Sequence, residues 1–279
     1  MALFRSRDDK VQWNLTKAVR LLLPDNPGPD QMLDAAKQYT TAAKPSRLNR
    51  ETICVDGNHF VLHPGRDVTP DMAARAGLPP DITCAFFPDW MGATTGLNTQ
   101  MRKQVDEIYR QKASYLLGGL GARFGGLWYP RPEDISRPLR AYIFTMQQVD
   151  EASLWGAAAR YEPALRPAES KWASEGVLTL RADSNPSLVQ YWPPDIAKMH
   201  KVVFAAGPGV PQVLDPSWRD EDTAVITVEA DQPAEGAPHS VAEAVGRVAL
   251  GVAAETGGVC VDTFAFRVRN PADLAIRAT

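Results

Sequence analysis

The chain has 279 residues, of which 44% are hydrophobic and 23% charged, and its net charge is −3. A chain of this length buries about 70–75% of its surface, so the core needs no covalent staple and wholesale disorder is excluded. The near-balanced charge argues against a dense basic face for nucleic acid, and no window reaches the 18 or so apolar residues of a membrane span.

The opening MALFRSRDDK lacks the apolar run of a signal peptide, and a cytoplasmic location is expected. Val11, Leu15, Ala18/Val19 and Leu22 recur at helical spacing. Pro24 and the Asp25–Asp30 stretch break that helix, and a second is expected over 30–43. Residues 1–50 therefore read as a helical arm.

Thr52–Val55 and His59–His63 flank Asp56-Gly57-Asn58, a hairpin whose turn glycine supplies positive φ. Ile82–Phe87 reads as a strand, interrupted by Pro88-Asp89. A long helix follows from Asn98 to Arg123, with Val105, Ile108/Tyr109, Ala113, Leu116 and Leu120 on one stripe. Gly125-Gly126 ends it in the left-handed conformation common at helix C-termini. The strand Leu127–Tyr129 and then Pro132-Glu133-Asp134-Ile135 come next.

Near the C-terminus the order recurs. Thr223–Ala230 alternates, with Ala224, Ile226 and Val228 opposed to Thr223, Thr227 and Glu229. A helix over Val241–Glu255 ends at Gly257-Gly258, a strand covers Val259–Asp262, and Pro271-Ala272-Asp273-Leu274 echoes the earlier Pro-Glu-Asp-Ile. Between the copies lie strands at Leu139–Thr145, Gly176–Ala182, Leu188–Trp192 and Lys201–Ala206, and a helix at Asp150–Arg160. Strands joined by short turns with helices to one side predict an α+β sandwich. The expectation is a duplicated strand–helix–strand, tandem ferredoxin-like fold, with repeats at 51–165 and 166–279 in one compact unit.

Chemistry is sparsely signalled. Cys54, Cys84 and Cys260 lie far apart among apolar residues and read as buried reduced thiols. The glycine-rich run 118–126 follows a helix and lacks the Gly-Lys-[Ser/Thr] of a phosphate loop. Of the four histidines, His59 and His63 sit on a strand at a spacing that suits metals on helices, so no metal site is expected. His239 precedes Ser240, the expected cap of the last helix. His200, beside Tyr191-Trp192-Pro193-Pro194, is the candidate general base or axial haem ligand, with Asp89 as a second catalytic candidate. Trp90, Trp128 and Trp192 each stand at a strand end near Pro or Gly. With Tyr191 they are the candidate ligand-binding residues.

Two readings follow. The first is a non-catalytic binding protein that holds a protein partner or small ligand through an aromatic-rich surface. The alternative is a small-molecule enzyme, haem-dependent in one form, with its site in a cleft between the repeats. The identity of any cofactor, and the oligomeric state, do not follow from the sequence.

Overall fold

The computed structural model describes residues 14–57, 59–129, 138–197, 214, 218–233 and 237–274. Helix and sheet are mixed, as expected of an α+β chain. The chain divides into two units, Met1–Glu133 and Asp134–Ala278. Among the described residues, no helix is long and apolar enough to cross a membrane.

The first unit runs β1 (Arg20–Leu23), α1 (Gly28–Tyr39), β2 (Lys44–Pro45), β3 (Ile53–Asp56), β4 (Phe60–Leu62), β5 (Arg66–Asp67), α2 (Pro70–Ala76), β6 (Cys84–Phe86), β7 (Pro88–Asp89), α3 (Met91–Thr94), α4 (Thr99–Phe124) and β8 (Leu127–Tyr129). The expected helix through Leu22 is corrected here. Residues 14–17 are helical, but Arg20–Leu23 is a strand buried at all four positions. It pairs antiparallel with β6 on one side and β8 on the other. A short apolar run buried on both faces carries no period that separates strand from helix, so pairing decides. The helical-arm reading of residues 1–50 therefore fails at β1, which sits inside a sheet of order β5-β6-β1-β8.

The other helices follow from local chemistry. Asn98 caps α4 by accepting from the Met101 N–H at 2.9 Å, and Thr69 caps α2 in the same way. Met32, Ala35, Ala36 and Tyr39 give α1 its buried stripe. A second sheet, β2-β3-β4-β7, contains the expected hairpin; Pro88-Asp89, expected as an interruption, pairs with β4 as its edge strand.

The second unit runs β9 (Pro138–Thr145), α5 (Glu151–Ala159), β10 (Arg166–Pro167), β11 (Leu178–Arg181), β12 (Leu188–Trp192), β13 (Ala224–Pro233), α6 (His239–Glu255) and β14 (Val259–Val261). One six-stranded antiparallel sheet holds every strand among the described residues, in the order β10-β11-β12-β13-β9-β14. Asp150 caps α5, its Oδ1 accepting from Ser153 N–H at 2.7 Å, and that bond draws its carboxyl below the ordinary value. Helix α6 begins at His239 with Pro238 as its cap residue, about two residues earlier than the expected Ser240 cap allows. Helices α5 and α6 cover one face of the sheet, where Leu139, Ala141, Ile143, Val189, Ile226, Val228 and Cys260 form the core. The expected strand over Lys201–Ala206 and the Pro132–Ile135 segment lie outside the described residues.

Both units end in the same local arrangement. Gly125 and Gly257 take φ of +68° and +58°. Gly126 N–H donates to Gly121 O at 2.9 Å and Gly258 N–H to Ala253 O at 2.8 Å, the bond that closes a helix with a left-handed residue. A Cβ on Gly126 would lie 2.3 Å from Leu22 O, and one on Gly258 would lie 2.9 Å from Phe144 O. Each glycine lets its helix end settle on the carbonyl of its unit's first strand. In the second unit the strands before and after the long helix, β13 and β14, flank β9 and run antiparallel to it; in the first unit β6, separated from the long helix by β7 and α3, and β8 flank β1 in the same way. The two flanking strands of each unit are therefore parallel to one another, with one strand between them.

Candidate functional site

The sequence-predicted residues fall in both units. Asp89, Trp90 and Trp128 belong to the first, and Tyr191 and Trp192 to the second. His200 lies outside the described residues.

Asp89 Oδ1 accepts from the Met91 N–H at 2.8 Å, and Oδ2 stands 3.5 Å from His63 Nε2. Both side chains are partly exposed. Trp90 Nε1 donates to Asp106 Oδ1 at 3.1 Å, and its ring meets the edge of Phe60 at 6.3 Å. Phe60 also meets Tyr109, so Trp90 packs where the hairpin meets α4. Trp128 lies on the face of β8 turned toward α4, its Cε3 placed 3.3 Å from where a Cβ on Gly121 would stand. Beside this region Lys112 reaches from α4 to the hairpin, its Nζ 2.9 Å from Asp56 Oδ2. Burial, with the Asp56 charge added, raises the Tyr109 phenol. Burial also drives Tyr39 well above its ordinary value.

Tyr191 and Trp192 are neighbours on a strand, so they point to opposite faces. Tyr191 belongs to the core beneath the helices, and burial raises its phenol. Trp192 belongs to the other face.

That other face is where polar chemistry collects. Three cross-strand rows can be read from the register. Arg181, Leu188, Glu229 and Arg140 form the first, Thr179, Gln190, Thr227 and Tyr142 the second, and Trp192, Val225 and Phe144 the third. Arg140 Nη2 donates to Glu229 Oε2 at 2.7 Å, and Nη1 donates to the Tyr142 hydroxyl at 3.1 Å. Burial alone would lower the Arg140 guanidinium; Tyr142 and Glu229 outweigh it and hold it above its ordinary value. Gln190 Nε2 donates to Thr179 Oγ1 at 3.2 Å. Thr227 is 0% exposed, and its Oγ1 has no hydrogen-bond partner among the described residues.

A cavity of about 470 Å³ opens against these rows. Arg140, Thr179, Arg181, Leu188, Gln190, Trp192 and Glu229 line its sheet side, and Glu169 to Trp172 line the other. The Ala168 N–H donates to Thr179 O at 2.9 Å and ties that loop to β11. Lys171 Nζ stands 5.3 Å from the Trp172 ring. An adjoining recess of about 850 Å³ shares Arg181, Leu188 and Glu229. The first unit has a smaller cavity of about 100 Å³, lined by His63, Glu51 and Asn26 among others.

Of the five predicted residues that are described, Trp192 lines the cavity of about 470 Å³ and the other four line neither of the larger cavities. Arg140, Glu229, Gln190, Thr179, Lys171 and Trp172 were not singled out. The signal available for four of them was alternation: polar residues recur at every second place on strands whose other face is apolar. No group of three or more His, Cys, Asp or Glu side chains fit to hold a metal occurs among the described residues. No protein-family model, no curated protein and no solved structure matches the chain.

Proposed function

We propose that this chain is a non-catalytic binding protein that holds a small ligand against the face of the second unit's sheet opposite helices α5 and α6. The observation that carries the reading is the cavity of about 470 Å³, which falls within the roughly 300–1,000 Å³ usual for small-ligand sites. Its sheet side is a preset array: an ion-paired Arg140, an amide at Gln190 and an indole at Trp192, each held by cross-strand neighbours. Preset polar groups beside aromatic surface favour holding a ligand, because little ordering remains to oppose binding.

The scaffold is read as two ferredoxin-like copies. Supporting this, β8-β1-β6-β5 and β14-β9-β13-β12 are the same order counted from each unit's last strand. The matched helix ends at Gly125 and Gly257 support it further. Three buried thiols, Cys54, Cys84 and Cys260, favour a reducing, cytoplasmic setting.

The test is native mass spectrometry and an absorption spectrum of freshly purified protein, followed by a tryptophan-fluorescence screen of small polar compounds. We expect a co-purifying or saturably bound small molecule whose affinity falls in Gln190→Ala. A Soret band would instead favour the haem-dependent enzyme.

The enzymatic alternative draws on one geometry, the imidazole of His63 set against the Asp89 carboxylate beside the smaller cavity. A carboxylate that orients an imidazole suits general-base chemistry. Its test is turnover of chromogenic carboxylic and phosphoric esters, present in the wild type and lost in His63→Ala.

A further inference from the structure

We infer that the ligand class of the second unit's cavity is a neutral carbohydrate, a mono- or disaccharide. The inference rests on the ligand-holding reading above and names what is held.

Charge supplies the first argument. Three cations, Arg140, Lys171 and Arg181, line the cavity with two carboxylates, Glu169 and Glu229. Arg140, the most buried of the cations, is already committed to Glu229 at 2.7 Å. An anionic ligand would meet both carboxylates, and a cationic one would meet the guanidinium and ammonium groups. With the Arg140–Glu229 pair set aside, Lys171 and Arg181 face Glu169, so the lining is only weakly positive and builds no dedicated ion site; a ligand that brings polarity without charge fits it.

Hydrogen-bonding capacity supplies the second. A sugar hydroxyl both donates and accepts, and neighbouring hydroxyls on a ring are best met by planar side chains that present two atoms at a time. Gln190 uses Nε2 on Thr179, which leaves its carbonyl oxygen to accept. Glu229 takes Arg140 through Oε2, which leaves Oε1. Lys171 and Arg181 bring N–H donors to the same cavity. The lining therefore holds accepting and donating capacity together, and a ligand rich in hydroxyls satisfies more of it than an aromatic or aliphatic molecule can.

Aromatic surface is the third argument. Trp172 and Trp192 both line the cavity; Trp192 is 5% exposed, so Trp172 is the indole that offers a face. The C–H faces of a pyranose ring are its apolar surface, and an indole face is the natural platform for them. Hydroxyl-matching amides and acids beside indole surface are what a sugar needs and a phosphate or a simple acid does not.

The experiment uses the full chain. Tryptophan fluorescence and calorimetry are run with glucose, N-acetylglucosamine, maltose and lactose, and in parallel with inorganic phosphate, benzoate and adenosine. We expect saturable binding of at least one sugar at millimolar concentration or below. We also expect affinity to drop about tenfold in Gln190→Ala and in Trp172→Ala, as for one lost hydrogen bond or stacking face, with an unchanged unfolding midpoint. Should adenosine or benzoate bind in place of the sugars and lose affinity in the same variants, the carbohydrate assignment is wrong and the ligand-holding reading stands. Sugar binding indifferent to both substitutions would remove this cavity as the site. Silence from every probe, with no co-purified molecule, would overturn both readings together.

Discussion

Four strands of each unit follow one order, but the units use the face of that sheet turned away from the long helix differently. In the first unit that face is apolar: Leu22 and Ala85 join Leu15, Met72 and Ala73 in one buried cluster, and helix α2 closes over it. In the second unit the face carries Arg140, Glu229, Gln190 and Thr179 beside a cavity. Antiparallel sheets permit this, since alternation assigns the two faces independently. One face of each sheet buys the stability of its unit; the other is free to be filled with core or chemistry. Across the four strands whose order the units share, what distinguishes them is side-chain choice at alternate positions.

The sharpest way to expose this contrast is to truncate the first face. Leu22→Ala should cost about 2–5 kcal/mol, as expected of a fully buried leucine beside a lid that cannot collapse. Urea denaturation measures it, and a loss below about 1 kcal/mol would mean the cluster under α2 is not a core.

A somewhat smaller effect probes what the units share. Gly126→Ala and Gly258→Ala should each destabilise by about 1–3 kcal/mol through overpacking. Gly126→Ala should be the worse, because its Cβ would stand 2.3 Å from Leu22 O, against 2.9 Å from Phe144 O for Gly258→Ala. Thermal melts of the two variants compare them directly, and indifference at either site would break the equivalence of the two helix ends.

On the second face, Glu229→Leu should cost about 1 kcal/mol or somewhat more, since it strands a partly buried guanidinium. Restoring neutrality with Arg140→Met in the same chain should recover part of that loss. A double-mutant cycle reads the coupling, and strict additivity would show that the pair is not formed in solution.

Alkaline pH separates the units more gently. Burial, with Asp67 adding to it, pushes the Cys84 thiol up from 9.0 to about 11. A raised thiol binds its proton more tightly when folded. Its stabilisation is whole below pH 9 and is lost as pH climbs toward 11. Cys260 is also raised by burial, so the slope belongs to both units. Cys84→Ala should flatten the part owed to the first unit in denaturation curves taken across that range. The smallest expected effect is Gln190→Ala, within about 0.5 kcal/mol of wild type in stability, because its side chain serves the cavity more than the core. A larger loss in a melt would make Gln190 structural.

Much of the local structure was legible. Asn98 with the stripe ending at Leu120, the left-handed stops at Gly125 and Gly257, and the alternation from Ala224 to Val228 all rest on interactions within a few residues, which sequence displays directly. Arg20–Leu23 was misread because an apolar run of that length suits either structure until its neighbours are known. The candidate site was legible at one residue, Trp192. Adjacent residues on a strand must part to opposite faces, so Tyr191 and Trp192 could not serve one cavity, and that rule was available from the start. Arg140 and Glu229 stand 89 positions apart, and no local pattern joins them.

By itself, then, the sequence determined the period of each segment, the caps and stops of its helices, and which side chains share a face. Only the tertiary structure decided that β1 lies between β6 and β8 and β9 between β13 and β14, and that the second unit's polar rows converge on one cavity. The physical reason is that strand pairing runs through backbone N–H and C=O groups, which almost every residue offers alike. A strand's neighbour is chosen by the whole unit's packing, and the cross-strand chemistry of Arg140, Glu229 and Gln190 exists only after that choice is made.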